Sequence, residues 1–193
     1  MITSIFGVLQ SVADDHVVIS VGGIGFQIFV PPSVTDTIGV IGHEVRLNTS
    51  LLMRDDVPFL YGFPTMEGKR LFDSLLAVSG VGPRYALAIL STMTPDEAAV
   101  AIVSGNAELL SVVPGIGKRT AARIVIDLQA KLQKDWKAAG LDVSPTNTDL
   151  SAALQALGYS PVEIQNSVSN LADLDELPLE EQVRLALRDL ARG

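Results

Sequence analysis

At 193 residues, 48% apolar, the chain holds enough apolar side chains for one ordinary domain or a few small ones. Its net charge of −8 argues against a plain nucleic-acid binder, and the absence of cysteine excludes disulfides, thiolate zinc sites and cysteine nucleophiles. The charge is uneven: residues 1–63 carry 2 basic and 6 acidic side chains, residues 64–140 carry 9 and 7, and residues 141–193 carry 3 and 9, so only the middle segment is suited to a polyanion.

Residues 1–63 read as strands. A first strand spans about Ile2 to Val12; Val17, Ile19 and Val21 then alternate, Gly22-Gly23 signals a turn, and Phe26, Ile28 and Val30 alternate after it. A later run puts Val45, Leu47, Thr49, Leu51 and Met53 on one face, followed by alternating Phe59, Tyr61 and Phe63. Five strands in so short a segment suit a small closed barrel of the OB-fold kind. The turn between the last two reads Arg54-Asp55-Asp56. Aspartates are common in turns because they cap nearby backbone groups, but two adjacent carboxylates can also form an acidic projection that repels phosphates over about 8 Å. The start, Met1 to Ile5, lacks the basic and long apolar regions of a signal peptide, so a cytoplasmic protein without membrane segments is expected. His16 and His43 have no ligand partner nearby in the sequence and are read as surface residues, with no metal or cofactor expected.

Residues 64–139 are helical and contain two glycine turns, Gly80-Val81-Gly82 and Gly115-Ile116-Gly117. Laying Leu75–Leu90 over Leu110–Val125 pairs Leu75 with Leu110, Arg84 with Arg119, Ala86 with Ala121 and Ile89 with Ile124, which marks a duplicated helix-turn-helix unit. A turn entering a helix start leaves backbone N–H groups free at the positive end of the helix dipole, an anion site. Each turn is followed by cations: Arg84 after Pro83, then Lys118 and Arg119, with Arg123 a turn further on. Turning one helix back on another would explain either copy alone, but not two with matched cations. A nucleotide-binding P-loop would need glycine at Val112 and a hydroxyl at Arg119, and dinucleotide fingerprints would need glycine at Tyr85 or Thr120. The anions are therefore expected in a polymer backbone, gripped at Gly80, Gly82, Arg84, Gly115, Gly117, Lys118, Arg119 and Arg123 without reading sequence. Between the turns, Thr94-Pro95-Asp96-Glu97 is a capped helix start.

Residues 140–148 are polar and read as a flexible linker. In the acidic segment 149–193, Leu150, Leu154 and Leu157 mark one helix, Ser160 to Glu163 caps a second, and Leu179, Val183, Leu187 and Leu190 form a stripe on a third. A tethered three-helix, ubiquitin-associated-like bundle without catalytic residues is read as a docking module.

The glycine repeat is similar to the helix-hairpin-helix of DNA-binding proteins. In the order barrel, double hairpin, linker and three-helix unit, the whole chain resembles the RuvA family of Holliday-junction-binding subunits. The resemblance rests also on Leu60-Tyr61-Gly62-Phe63, Arg54-Asp55-Asp56 and Ala156-Leu157-Gly158-Tyr159. It implies a non-catalytic α+β multidomain protein forming a tetramer, or two tetramers face to face, that holds a four-way junction open and square-planar for branch migration in recombination and repair. The glycines and cations above would contact the duplex arms. Asp55 and Asp56 would form an acidic pin at the crossover, Asp-Asp where the family often has Glu-Asp. Leu154, Leu157, Tyr159 and Leu187 would face the RuvB motor, which hydrolyses ATP, and the RuvC resolvase would share the junction.

Two other readings remain open from the residues. A glycosylase or lyase built on the hairpins could use Asp127 or Asp135, although no aromatic base pocket is evident. A single-strand binder built on the barrel would sit on a net acidic segment whose aromatics alternate as a core would.

Overall fold

The computed structural model describes residues 2–138, 150, 153–154, 156–159, 164, 167–168, 171 and 177–190, with the backbone alone for 135–138. The chain divides into two compact units, Met1–Ala130 and Lys131–Gly193.

In the first unit β1 (Ser4–Val12), β2 (His16–Val21), β3 (Ile24–Phe29), β4 (Glu44–Arg54) and β5 (Val57–Phe63) close a barrel in the order β1-β2-β3-β5-β4. Gly22 and Gly23 take φ of +58° and +87°, the left-handed pair that a two-residue hairpin turn requires between β2 and β3. A register shift between Leu9 and Ser11 bends β1, which pairs with both β2 and β4. Closure comes from a parallel pairing of Phe29 with Tyr61, which nothing in the local pattern announces. The core holds Ile5, Leu9, Val17, Ile19, Ile28, Val30, Leu47 and Leu60. The helical turn α1 (Pro32–Thr35) adds Val34 to it, where the strand pattern signals only a connection.

Two features of the barrel go beyond the strand pattern. The alternating face of β4 is buried at Leu47 and Thr49, but Met53 is 62% exposed, because the β4–β5 hairpin continues beyond the core. In β5 the barrel core takes Leu60 rather than the aromatics. Phe59 and Tyr61 stack with Phe29, and the rings of Tyr61 and Phe63 lie 5.1 and 4.8 Å from that of Phe72. The aromatic alternation therefore builds a seam between the barrel and the helix that follows.

That helix, α2 (Met66–Leu76), starts on Thr65, whose hydroxyl accepts from the Gly68 N–H at 3.1 Å. The change from strands to helices at 63/64 lies inside the first unit. Asp73 of α2 accepts from the Ser50 hydroxyl and from Lys69, each at 2.6 Å. The remaining helices are α3 (Pro83–Thr92), α4 (Pro95–Val103), α5 (Ala107–Ser111) and α6 (Lys118–Ala138). The start expected at Thr94 forms in full: Thr94 Oγ1 accepts from the Glu97 N–H at 3.2 Å, and Glu97 accepts from the Thr94 N–H at 2.8 Å.

In the second unit Leu150, Leu154, Ile164 and Ala186 make a small core, to which α7 (Leu179–Leu190) contributes. The expected linker 140–148 and the helix start at Ser160 to Glu163 lie outside the described residues.

Candidate nucleic-acid interface

The repeat read in the sequence is a repeat of backbone geometry. Gly80 has φ +89° and Gly115 has φ +86°. The N–H of Val81 donates to Val78 O and that of Ile116 to Val113 O, both at 3.0 Å; those of Ala86 and Ala121 donate to Gly82 O and Gly117 O, also at 3.0 Å. The paired apolar positions are buried in both copies, Leu75 with Leu110, Val78 with Val113, Ala86 with Ala121 and Ile89 with Ile124. Each turn is thus pinned beneath by one apolar set and opens on a helix start, where α6 offers its first N–H groups outward while α3, with Pro83 first and the Tyr85 N–H bonded to Gly82 O, offers fewer.

The two glycines of each turn serve different ends. Gly80 and Gly115 stand in the left-handed region, where other residues are strained. Gly82 has ordinary extended backbone, φ −95° and ψ 175°. A β-carbon added at Gly82 or Gly117 would meet nothing in the chain within 4 Å. Neither conformation nor internal packing demands glycine at these two positions, and the space outside each turn is open.

Arg84, Lys118 and Arg119 are exposed, and among the described residues none of them forms an ion pair. Arg123 is also exposed, and its Nε lies 3.7 Å from Asp127 Oδ2, a weak surface contact one turn along the same helix. Asp127, one of the two carboxylates considered for lyase chemistry, is exposed on α6; the side chain of Asp135 lies outside the described residues. No group of three or more His, Asp or Glu placed to hold a metal occurs among the described residues.

The sequence pattern did not reveal Tyr85. A β-carbon at Gly115 would stand 3.0 Å from Tyr85 Cε1, so the aromatic of the first hairpin lies against the turn of the second. The available signal was its place in the repeat, where the second copy has Thr120.

At the end of the β4–β5 hairpin, Asp55 and Asp56 have φ of +49° and +62°. Both carboxylates are exposed, and among the described hydrogen bonds no backbone N–H donates to either. Their one described ion pair joins Arg54 Nε to Asp55 Oδ2 at 3.8 Å between highly exposed groups, a weak contact. Met53 and Val57 form exposed apolar shoulders below the acidic tip.

In the second unit, the residues expected on a docking face separate. Leu154 is fully buried and offers nothing to touch. Its carbonyl accepts from the Tyr159 N–H at 3.2 Å, and Gly158 follows the helix end with φ +96°, a Schellman closure. Leu157, at that helix end, is 58% exposed, whereas Tyr159 and Leu187 are half-buried against the core.

Three family models match the chain: the RuvA N terminal domain over residues 1–62, a SAM-like helix-hairpin-helix tandem over 72–130, and the RuvA C-terminal domain over 145–191. A Dehalococcoides mccartyi protein named Holliday junction branch migration complex subunit RuvA is 46% identical over 188 residues, covering 97% of each chain. Proteins of the same name from Chloroflexus aggregans and Methylibium petroleiphilum are 43% and 39% identical, covering 97% and 100% of each chain.

Proposed function

The chain belongs to the RuvA family, and from that premise we propose that it recognises four-way junction DNA and holds it for branch migration. The observation that carries this reading is the matched pair of turns, each with an unobstructed glycine and at least one exposed cation at a helix start. Such a surface grips phosphates without reading bases, so what it recognises is the path of the backbone. Gly80, Gly82, Arg84, Gly115, Gly117, Lys118, Arg119 and Arg123 follow the duplex arms.

Four copies around one junction bring the Asp55-Asp56 tips together at the crossover. Carboxylates there repel phosphates, favour an open square-planar junction and help strands part as they exchange. The protein is non-catalytic: the second unit docks the RuvB ATPase through a face that includes Leu157, Tyr159 and Leu187, and the RuvC resolvase shares the exposed side of the junction. One tetramer leaves that side open and two cover it.

A gel-shift competition at moderate salt between a synthetic four-way junction, linear duplex and single strand of matched length tests this. Discrete junction complexes that resist duplex competitor are expected; equal affinity for all three would leave a general backbone binder with no use for the acidic tip.

A further inference from the structure

Resting on the reading of both turns as grips on one DNA backbone, we propose that Tyr85 is the spacer that fixes their separation, a positioning residue acting through the second turn. Gly80 and Gly115 share a backbone conformation but not surroundings. A β-carbon at Gly80 would meet nothing within 4 Å, whereas one at Gly115 would stand 3.0 Å from Tyr85 Cε1 and 3.5 Å from Cδ1. The ring thus lies close against the second turn, near enough that a β-carbon there would push it aside by a few tenths of an ångström.

The brace runs one way. Tyr85 follows Arg84 in the first turn of α3, and the corresponding position of the second copy is Thr120, which has no ring to return the contact. The far side of the second hairpin is tied separately, by the Gln129 amide donating to Val103 O at 2.8 Å. Tyr85 is 37% exposed, and no described hydrogen bond uses its hydroxyl, so the structure assigns the work to the ring.

Phosphates on a duplex are set at fixed intervals, and two grips joined at the right separation bind as one bivalent site. If the second turn can wander, ordering it is charged against each binding event. The buried apolar set still holds the second turn in the fold without the ring, so binding should weaken as that turn's phosphate contacts lose alignment, with fewer phosphates neutralised and a shallower dependence on salt.

The test is junction binding by the full chain across a salt series, with melting followed by circular dichroism. Tyr85→Phe should stay within about twofold of the parent, and Tyr85→Ala should weaken binding by about tenfold or more with a reduced salt slope. Tyr85→Ala should add little to Arg119→Ala, whose second turn is already impaired, but cost its full effect on top of Arg84→Ala. General loss of stability would weaken both backgrounds alike, so this comparison decides even if the alanine variant melts early. An unchanged slope, equal losses in the two backgrounds, or a phenylalanine variant as weak as the alanine one would overturn the spacer. Failure of the parent chain to bind junction or duplex at all would instead remove the grip reading beneath it.

Discussion

Asp55 and Asp56 are consecutive left-handed residues, φ +49° and +62°, and the described structure gives neither carboxylate a backbone group to cap. Each non-glycine in that region costs on the order of 1 kcal/mol, and Asn-Gly would make the same turn with less strain. The turn is therefore poorly explained as a turn alone. Asp55→Asn combined with Asp56→Gly should raise the melting temperature by a few degrees, about what 1 kcal/mol gives a domain of this size, while lowering the preference for junction over duplex. A more stable variant with undiminished preference would return both residues to a purely local role.

Gly82 and Gly117 invite the opposite experiment. Since a β-carbon there meets nothing in the chain, Gly82→Val or Gly117→Val should fold normally, with a cost of about 1 kcal/mol at a helix start. Junction affinity should fall by at least about tenfold, because the new methyls stand where a phosphate must approach. Gel shifts and melting curves on the same samples separate the two effects, and intact affinity would refute the clamp.

These residues also show where the sequence was legible. Period-two alternation placed the strands, and the 35-residue offset placed both turns, because each signal is local and repeated. What escaped were relationships set by distant parts of the chain. Periodicity puts Met53 on the same strand face as Leu47 and Thr49, yet it cannot say where the barrel ends. Leu154 and Leu157 share a helix face by spacing, but the helix closes at Gly158, burying one and exposing the other. The contact of Tyr85 with Gly115 crosses from one hairpin to the other, and the parallel pairing that closes the barrel joins strands separated by a whole hairpin.

Gly7 differs from the glycines of the turns. A β-carbon there would lie 2.2 Å from the Ser20 carbonyl oxygen, a backbone atom held by β2, and 2.9 Å from Val21 Cγ2. No rotamer change relieves that clash, so Gly7→Ala should destabilise the barrel by roughly 3 kcal/mol or more. Urea unfolding should show a sharply lower midpoint, and a midpoint near the parent's would mean that β1 and β2 can separate without loss.

Tyr61 makes the first unit sensitive to alkali. Burial raises its pKa above the ordinary 10.0, and nearby Arg54 lowers it by a smaller amount. The folded chain thus holds this proton longer than the unfolded chain. The resulting contribution is complete below the ordinary value and is lost as pH rises through the folded one. Unfolding midpoints measured from about pH 9 to 11 should fall for the parent and fall less for Tyr61→Phe, which keeps the ring against Phe29 and Phe72. Parallel curves would exclude Tyr61 as the source.

The second unit separates support from contact within one leucine pair. Leu154→Ala removes a fully buried side chain and should cost about 2–5 kcal/mol, visible as early melting of that unit. Leu157→Ser removes an exposed one and should leave melting unchanged within about 0.5 kcal/mol. If this unit docks the motor, Leu157→Ser should reduce stimulation of the RuvB ATPase while junction binding stays intact, as should removal of residues 149–193. The point variant carries the sharper information, because deletion also removes the whole acidic segment and its charge. Full stimulation with serine at 157 would move the docking face away from this helix end, while full stimulation by the shortened chain would remove the docking role from the unit altogether.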